Sequence, residues 1–220
     1  MPTEIGFRAT KHLDGNHYIM TLPAMQPLQN LSKYDIQLAS ASPRRRQLLE
    51  MMGIQFSTNT IEGIDERCPA SIPAEDVAAY LSTVKAAAYQ ANGLSDNDLV
   101  ITADTIVLCN GKVLGKPADK DEAHYMLKLL SGNIHNVITG VTITTAHKQS
   151  TFSVTTEVEF AHLCDEEINF YIDRFRPFDK AGAYGIQEWI GCIGIKGIRG
   201  SYYNVMGLPL HRLYNELKQF

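Results

Sequence analysis

The chain has 220 residues, of which 45% are hydrophobic and 20% are charged, a composition typical of one globular domain with a substantial core. Its formal net charge of −4 argues against non-specific binding to nucleic acid or to membranes, because both need a basic surface. No apolar run reaches the length of a transmembrane helix.

The first 33 residues show weak periodicity, and their charged residues interrupt any run that could be the core of a signal peptide. We predict a poorly ordered extension over residues 1–33, or upstream sequence ahead of a true start at Met20 or Met25. One domain over residues 34–220 follows. The four cysteines show no CxxC spacing and the seven histidines no HxxxH or HExxH pattern, which argues against a zinc site or a disulfide framework and favours a cytoplasmic location.

Strands and helices alternate along the domain, which predicts an α/β fold with a mixed sheet. A strand is expected at 35–39, followed by a helix at 43–52 with Ser42 as N-cap and Gly53 behind it. Further helices are predicted at residues 74–91, 119–132, 165–176 and 209–220. Further strands are predicted at 99–109 with a short return strand, at 135–145 and 151–163 as a hairpin, and as a glycine-rich pair over 191–200.

Three arginines, Arg44, Arg45 and Arg46, occupy the first turn of the first predicted helix, where the positive end of the helix dipole repels them. A polyphosphate bound by backbone N–H groups, by guanidinium groups and by the hydroxyls of Ser40 and Ser42 would supply the missing negative charge. Successive helical residues are turned by about 100°, so we expect Arg44 and Arg45 to face the ligand and Arg46 to face solvent. This interpretation predicts that Arg44 and Arg45 strain the protein when no ligand is bound. The chain has no P-loop motif.

Asp104 lies in the middle of an apolar strand, an unfavourable place for a carboxylate unless it faces a cleft. A loop upstream carries three acids that could join Asp104 in offering oxygen ligands to Mg²⁺ or Mn²⁺: Glu62, Asp65 and Glu66. Lys85 in the second helix and Lys116 in "LGKP" would belong to the same site if the fold brings them to the arginines.

Seven successive motifs resemble those of the Maf, or septum-formation, family: "LASASPRRRQLL", "GIDE", "ADTIV", "LGKP", "SGNIHNVITGV", "DKAGAYGIQ" and "GSYYNVMGLPL". The resemblance covers residues 35 to 217 in order. It implies helices flanking the mixed sheet, two lobes with a central cleft, a divalent metal and a homodimer. The implied reaction is hydrolysis of a nucleoside triphosphate to the monophosphate and pyrophosphate.

The same resemblance implies the roles of individual residues. Asp104 would be the catalytic acid–base residue. The phosphate and metal site would be formed by Ser40, Arg44, Arg45, Glu66, Lys85 and Lys116. At Arg44, Thr105 and Gln187 the chain resembles the branch of the family that acts on dTTP and UTP, and a glutamine amide suits a pyrimidine imide because it can both donate and accept.

The predicted mechanism is metal-assisted hydrolysis of the α–β phosphoanhydride, with the metal at Glu66 and Asp104 and the proton accepted by Asp104. The sequence leaves open whether Asp104 is mainly a base or mainly a metal ligand, and whether the pyrimidine triphosphate is normal or modified. Two other interpretations stay open here. One is a house-cleaning hydrolase of aberrant purine triphosphates, and the other is a non-catalytic, nucleotide-binding regulator of cell division.

Overall fold

The structure, a computed structural model, describes residues 28–220. Most of the predicted extension therefore lies outside the described residues, as do both candidate start methionines, Met20 and Met25. Among residues 28–220, no helix combines the length and the apolar character that crossing a membrane requires.

The last part of the predicted extension is ordered. Gln29–Lys33 forms a 3₁₀ helix whose Leu31 is buried in a hydrophobic core. Asn30 Nδ2 donates a hydrogen bond to the carbonyl oxygen of Leu217, 2.8 Å away in the last helix. The prediction of poor order is wrong for these residues, because an apolar contact and a hydrogen bond hold them against the domain.

A seven-stranded mixed sheet forms the centre of the described chain. Its strands are β1 (Asp35–Ala39), β2 (Ser57–Thr58), β3 (Asp98–Cys109), β4 (Lys112–Leu114), β5 (Ile134–Thr144), β6 (Gln149–Phe160) and β7 (Ile195–Arg199). Their spatial order is β2-β1-β3-β5-β6-β7, with β4 paired to β3. β1 runs parallel to β2 and β3, whereas the other described pairs are antiparallel. The predicted α/β class with a mixed sheet is confirmed.

Seven α-helices lie in the described part of the chain. They are α1 (Pro43–Met51), α2 (Val77–Ala91), α3 (Lys120–Leu130), α4 (Asp165–Phe175), α5 (Trp189–Gly194), α6 (Tyr202–Met206) and α7 (Leu210–Leu217). The five helices predicted from the sequence match α1 to α4 and α7, and the first turn of the predicted second helix is a 3₁₀ turn at Ala74–Asp76. The caps also agree, since Ser42 and Asp119 accept hydrogen bonds from backbone N–H groups three residues ahead.

The predicted pair of glycine-rich strands is half wrong, because its first part is helix α5 and only β7 is a strand. Gly191 explains the difference. A Cβ at this position would come within 1.8 Å of the Ile186 carbonyl oxygen, so the missing side chain lets α5 pack directly on the preceding turn.

Two hydrophobic cores flank the middle of β3. One core contains Ile101 and Ala103 and packs α1 and α7 against the sheet. The other contains Val107 and Cys109 and packs α3 and α4. β3 passes from one core to the other, and Asp104 lies in the part of the strand between them. The polar interruption of this strand therefore marks the boundary between two lobes.

Candidate active site

A cleft of about 380 Å³ opens between the N-terminal end of α1, the middle of β3 and the segment at residues 179–188 that leads into α5. Nine residues predicted to bind substrate or metal all line this cleft: Ser40, Arg44, Arg45, Glu66, Lys85, Asp104, Thr105, Lys116 and Gln187. The fold thus brings together residues that are spread over most of the chain.

Arg45 is held by neutral acceptors of the protein itself. Its Nε donates to the Gly207 carbonyl oxygen and its Nη1 to the Ala103 carbonyl oxygen, both at 2.8 Å. Nη1 also reaches Ser40 Oγ at 3.4 Å, and Nη2 donates to Thr105 Oγ1 at 3.0 Å. Burial lowers the pKa of the Arg45 guanidinium, and the nearby Asp104 carboxylate opposes that shift. These contacts oppose the predicted strain, since four of the five N–H groups of Arg45 have partners in the ligand-free protein, whereas burial and the charge of Arg44 act in the predicted direction.

The other two arginines of the turn differ from Arg45. Arg44 Nη1 forms an ion pair with Asp179 Oδ2 at 2.8 Å, so this arginine links α1 to the 179–188 segment. Arg46 is exposed and does not line the cleft, as its position on the helix predicted. Of the three, Arg44 has a partly exposed partner that a ligand could replace.

Lys85 connects the two carboxylates predicted to hold the metal. Its Nζ lies 2.6 Å from Asp104 Oδ1 and 3.1 Å from Glu66 Oε2. The side chains of Lys85 and Asp104 are only 16% and 17% exposed, whereas that of Glu66 is 50% exposed. Among the described residues, none donates a hydrogen bond to Asp104 Oδ2, so this oxygen is free to accept a proton or to bind a cation.

The rest of the predicted acidic cluster does not reach the cleft. Glu62 is exposed, and Asp65 forms hydrogen bonds with Arg67 that lower the pKa of the Asp65 carboxyl. Within residues 28–220, no three His, Cys, Asp or Glu side chains are grouped as in a metal site made of protein ligands alone. Of the three loop acids named from the sequence, Glu66 alone lines the cleft.

Sequence reasoning missed an ionic network in the 179–188 segment. The Lys180 side chain is only 8% exposed, and its Nζ contacts Asp179 Oδ1 at 2.7 Å and Glu188 Oε1 at 3.1 Å. Partial burial acts to raise the pKa of Asp179, but hydrogen bonds from Lys180 and Arg44 outweigh it and lower the pKa. A charged Asp-Lys pair immediately before "AGAYG" was the available signal, because small and aromatic residues around it indicate burial.

Thr105 belongs to a chain of hydrogen bonds whose direction is fixed at both ends. It accepts from Arg45 Nη2, and its Oγ1 lies 2.9 Å from Thr139 Oγ1, which donates to the Asn204 carbonyl oxygen at 3.1 Å. Lys116 and Gln187 differ from Thr105, because both are exposed and neither side chain has a hydrogen-bond partner among residues 28–220. Their polar ends are therefore available to a ligand.

Comparison with known proteins shows the family of the chain. A family model described as "Maf-like protein" matches residues 35–220. The chain belongs to the Maf family. It is 55% identical over 192 residues to a dTTP/UTP pyrophosphatase of Phocaeicola vulgatus, a match that covers 87% of this chain and 99% of the relative.

Two further Maf relatives, from Porphyromonas gingivalis and Parabacteroides distasonis, are 53% and 54% identical over 194 and 193 residues. Each match covers 88% of this chain, with 98% and 100% of the respective relative, and both relatives carry the name dTTP/UTP pyrophosphatase. The family match begins at Asp35, the first residue of β1, so it contains every residue that lines the cleft.

The cleft of this Maf protein is positively charged although the whole chain is acidic. Five cationic side chains line it: Arg44, Arg45, Lys85, Lys116 and Lys180. Three carboxylates line it as well: Glu66, Asp104 and Asp179. A local excess of positive charge in a chain of net charge −4 indicates a binding site for a small anion rather than for a polyanionic surface.

Proposed function

We propose that this chain is a nucleoside triphosphate pyrophosphatase that hydrolyses dTTP and UTP to the nucleoside monophosphate and pyrophosphate. The observation that carries the proposal is one cleft whose lining combines five cationic side chains with Asp104, a carboxylate with a free oxygen. The names of relatives at 53–55% identity over nearly their whole length support the choice of substrates.

The triphosphate would bind at the N-terminal end of α1. Pro43 has no N–H group and Ser42 accepts the N–H groups of Arg45 and Arg46, so the Arg44 N–H is left for the ligand, and the helix dipole favours an anion. Arg44 would exchange Asp179 for a phosphate oxygen, and the unpaired Lys116 would reach the phosphates from the opposite side. Arg45 would contribute mainly its charge, because a single N–H group of its guanidinium lacks a partner among the described residues.

Asp104 would act as the general base. Its Oδ2 accepts a proton from water while the water oxygen attacks phosphorus, the anhydride bond between the α and β phosphates breaks, and pyrophosphate leaves. Lys85 donates to Oδ1 and so holds the carboxylate in one orientation with Oδ2 free. Charge that develops on the phosphates is stabilised by the cationic side chains around them, which need no rearrangement at that moment.

Mg²⁺ or Mn²⁺ fits the residues present, and Glu66 and Asp104 would hold it. Mg²⁺ is commonly bound through one or two carboxylates together with substrate phosphates and water. Glu66 Oε1 has no partner among residues 28–220 and would be the ligand while Asp104 acts as the base, and Asp104 Oδ2 would bind the ion only outside that step. The chemistry that such an ion supplies when bound is neutralisation of charge on the phosphate oxygens.

The base would be recognised by Gln187 and Thr105. The Gln187 amide has no partner among the described residues and can donate to and accept from the imide of thymine or uracil. Thr105 lies beside the catalytic Asp104, with its hydroxyl fixed by Arg45 and Thr139. The homodimeric state and the cytoplasmic location are proposed from the family resemblance, together with a one-domain organisation over residues 34–220.

A panel of nucleoside triphosphates tests the function directly. We expect kcat/KM for dTTP and UTP to exceed that for dITP, XTP, GTP and ATP, and a chelator to abolish turnover. Higher kcat/KM for dITP or XTP would favour the house-cleaning alternative instead. Nucleotide binding with no release of pyrophosphate from any substrate would favour the non-catalytic regulator.

A further inference from the structure

Gln187 is presented to the cleft by a tight turn. The Glu188 N–H donates to the Gly185 carbonyl oxygen at 3.0 Å, which closes a β-turn at residues 185–188 with Ile186 and Gln187 at its centre. Since no described residue hydrogen bonds to the Gln187 amide, the position of that amide depends on the backbone of the turn.

A single buried hydroxyl binds both ends of this turn. Tyr171 Oη accepts a hydrogen bond from the Gly185 N–H at 3.0 Å and donates one to Glu188 Oε2. Tyr171 lies on α4, is fully buried and stacks on Phe175 with ring centroids 5.2 Å apart, so its own position is fixed by packing. Burial raises the pKa of Tyr171 and the contact with Glu188 raises it further, so the hydroxyl keeps its proton.

The other side of the turn is held by an ion pair. Glu188 Oε1 contacts Lys180 Nζ at 3.1 Å, so both oxygens of this carboxylate have partners. The pair packs against the bare Cα of Gly185, where an added Cβ would lie 2.9 Å from Glu188 Cδ and 3.1 Å from Lys180 Cε. The turn is thus clamped between a rigid tyrosine and a buried lysine.

Such a cluster contributes little net stability, because the free energy needed to remove the charged groups from water is about as large as the free energy of their attraction. Its location next to the one unpaired amide of the cleft wall indicates a different use. We infer that Tyr171 and Glu188 are positioning residues, which hold the turn at residues 185–188 and thereby fix Gln187 for discrimination between bases. The inference rests on the proposed function, in which Gln187 contacts the pyrimidine.

The test measures the ratio of kcat/KM for dTTP to kcat/KM for dCTP, whose base lacks the imide. The ratio in Gln187→Ala is the discrimination that remains when the amide is absent. We expect Tyr171→Phe and Glu188→Gln each to lower the ratio about tenfold toward that value. The double variant Tyr171→Phe/Gln187→Ala should match Gln187→Ala, because the tyrosine acts through the glutamine.

Two controls separate positioning from a general loss of structure. Inhibition by inorganic tripolyphosphate, which has no base, should keep its wild-type Ki in Tyr171→Phe and Glu188→Gln. Tyr34→Phe removes a hydroxyl that bonds the Phe220 carbonyl oxygen, outside the cleft lining, and should keep the wild-type ratio.

Three results would overturn the inference. These are a wild-type ratio in Tyr171→Phe, an unchanged ratio in Gln187→Ala, and tripolyphosphate inhibition that weakens in parallel with the ratio. Each would leave the proposed pyrophosphatase reaction intact, provided that the wild-type protein releases pyrophosphate from dTTP, although an unchanged ratio in Gln187→Ala would also remove Gln187 from recognition of the base. Absence of that activity in the wild-type protein would instead contradict the proposed function itself.

Discussion

The two walls of the cleft hold their cations with opposite kinds of partner. On the wall formed by residues 40–45, Arg45 donates to the carbonyl oxygens of Gly207 and Ala103 and to a threonine hydroxyl, all of which are neutral. On the wall formed by residues 179–188, Lys180 contacts two carboxylates. Arg44 joins the walls through its ion pair with Asp179.

This difference has consequences for both binding and stability. A cation held by neutral acceptors keeps its full charge toward a ligand, so Arg45 supplies much of the attraction for a triphosphate. A cation held by carboxylates is neutralised locally, so Lys180 serves the arrangement of its wall more than the attraction. The two walls should therefore respond differently to removal of the cation and to pH.

Removal of Lys180 should have the largest effect on stability. Lys180→Met leaves the carboxylate of Glu188 buried without its cation, which should cost about 3–5 kcal/mol of unfolding free energy at pH 8. Lys180 also lowers the pKa of Asp179 by a hydrogen bond, so in wild type this contribution to stability is present above the ordinary pKa of an aspartate and is lost as the pH falls below it. In urea titrations the difference in unfolding free energy between wild type and Lys180→Met should therefore narrow as the pH falls below about 5. A difference that is constant with pH would mean that Lys180 does not stabilise the charged form of Asp179.

Removal of Arg45 should cost less and should not depend on pH. Arg45→Ala takes hydrogen bonds from two carbonyl oxygens and a hydroxyl, at about 2–4 kcal/mol in total. Because these acceptors do not titrate, the difference in unfolding free energy between Arg45→Ala and wild type should be the same at pH 8 and at pH 5. The matched control is Arg46→Ala on the same exposed turn, which should change stability by less than about 0.5 kcal/mol.

His135 lies behind the wall at residues 179–188 and should make the wild-type protein sensitive to acid. It is buried, and its Nε2 lies 2.8 Å from the hydroxyl of Tyr184. Burial lowers the pKa of His135 from 6.5 to about 4, so between these values the unfolded chain binds a proton that the folded chain does not. Because of this histidine, the unfolding free energy should fall by about 2 kcal/mol between pH 7 and pH 5. His135→Gln should show a smaller fall in the same titrations, and an equal fall would exclude the histidine as the cause.

Arg44 should affect stability least, because its partner Asp179 is 57% exposed and such pairs contribute about 0–1 kcal/mol. A bound ligand distinguishes a phosphate-binding role of Arg44 from a purely structural one. A non-hydrolysable dTTP analogue should raise the melting temperature of wild type and of Arg46→Ala by mass action, and Arg44→Ala should lose most of that shift. If Arg44→Ala keeps the full shift, the arginine is a structural link between the walls rather than a ligand for phosphate.

Much of the fold and the membership of the cleft could be predicted from the sequence. Ser42 and Asp119 predicted the N-terminal ends of the helices that they cap. Asp104 was identified as a site residue because a carboxylate is unfavourable in an apolar strand. All nine candidate residues line one cleft, although their individual roles there stay proposals.

The partners of the cations could not be predicted in the same way. Arg45 donates to backbone carbonyls of Gly207 and Ala103, and a carbonyl is present at every position, so it leaves no signal in the sequence. The contact of Tyr171 with Glu188 depends on how α4 packs against the turn before α5. A tyrosine at a core position of a helix is normally interpreted as a packing residue, and nothing in the sequence indicates which groups its hydroxyl contacts.

The most direct test of the central claim is product analysis of dTTP hydrolysis by wild-type protein and by Asp104→Asn. The account predicts that wild type yields dTMP and pyrophosphate on ion-exchange chromatography. It also predicts that Asp104→Asn, which keeps the shape but removes the proton acceptor, forms the same products roughly 10²-fold more slowly or less while remaining folded. Release of dTDP and orthophosphate by wild type, or near wild-type turnover by folded Asp104→Asn, would contradict the account.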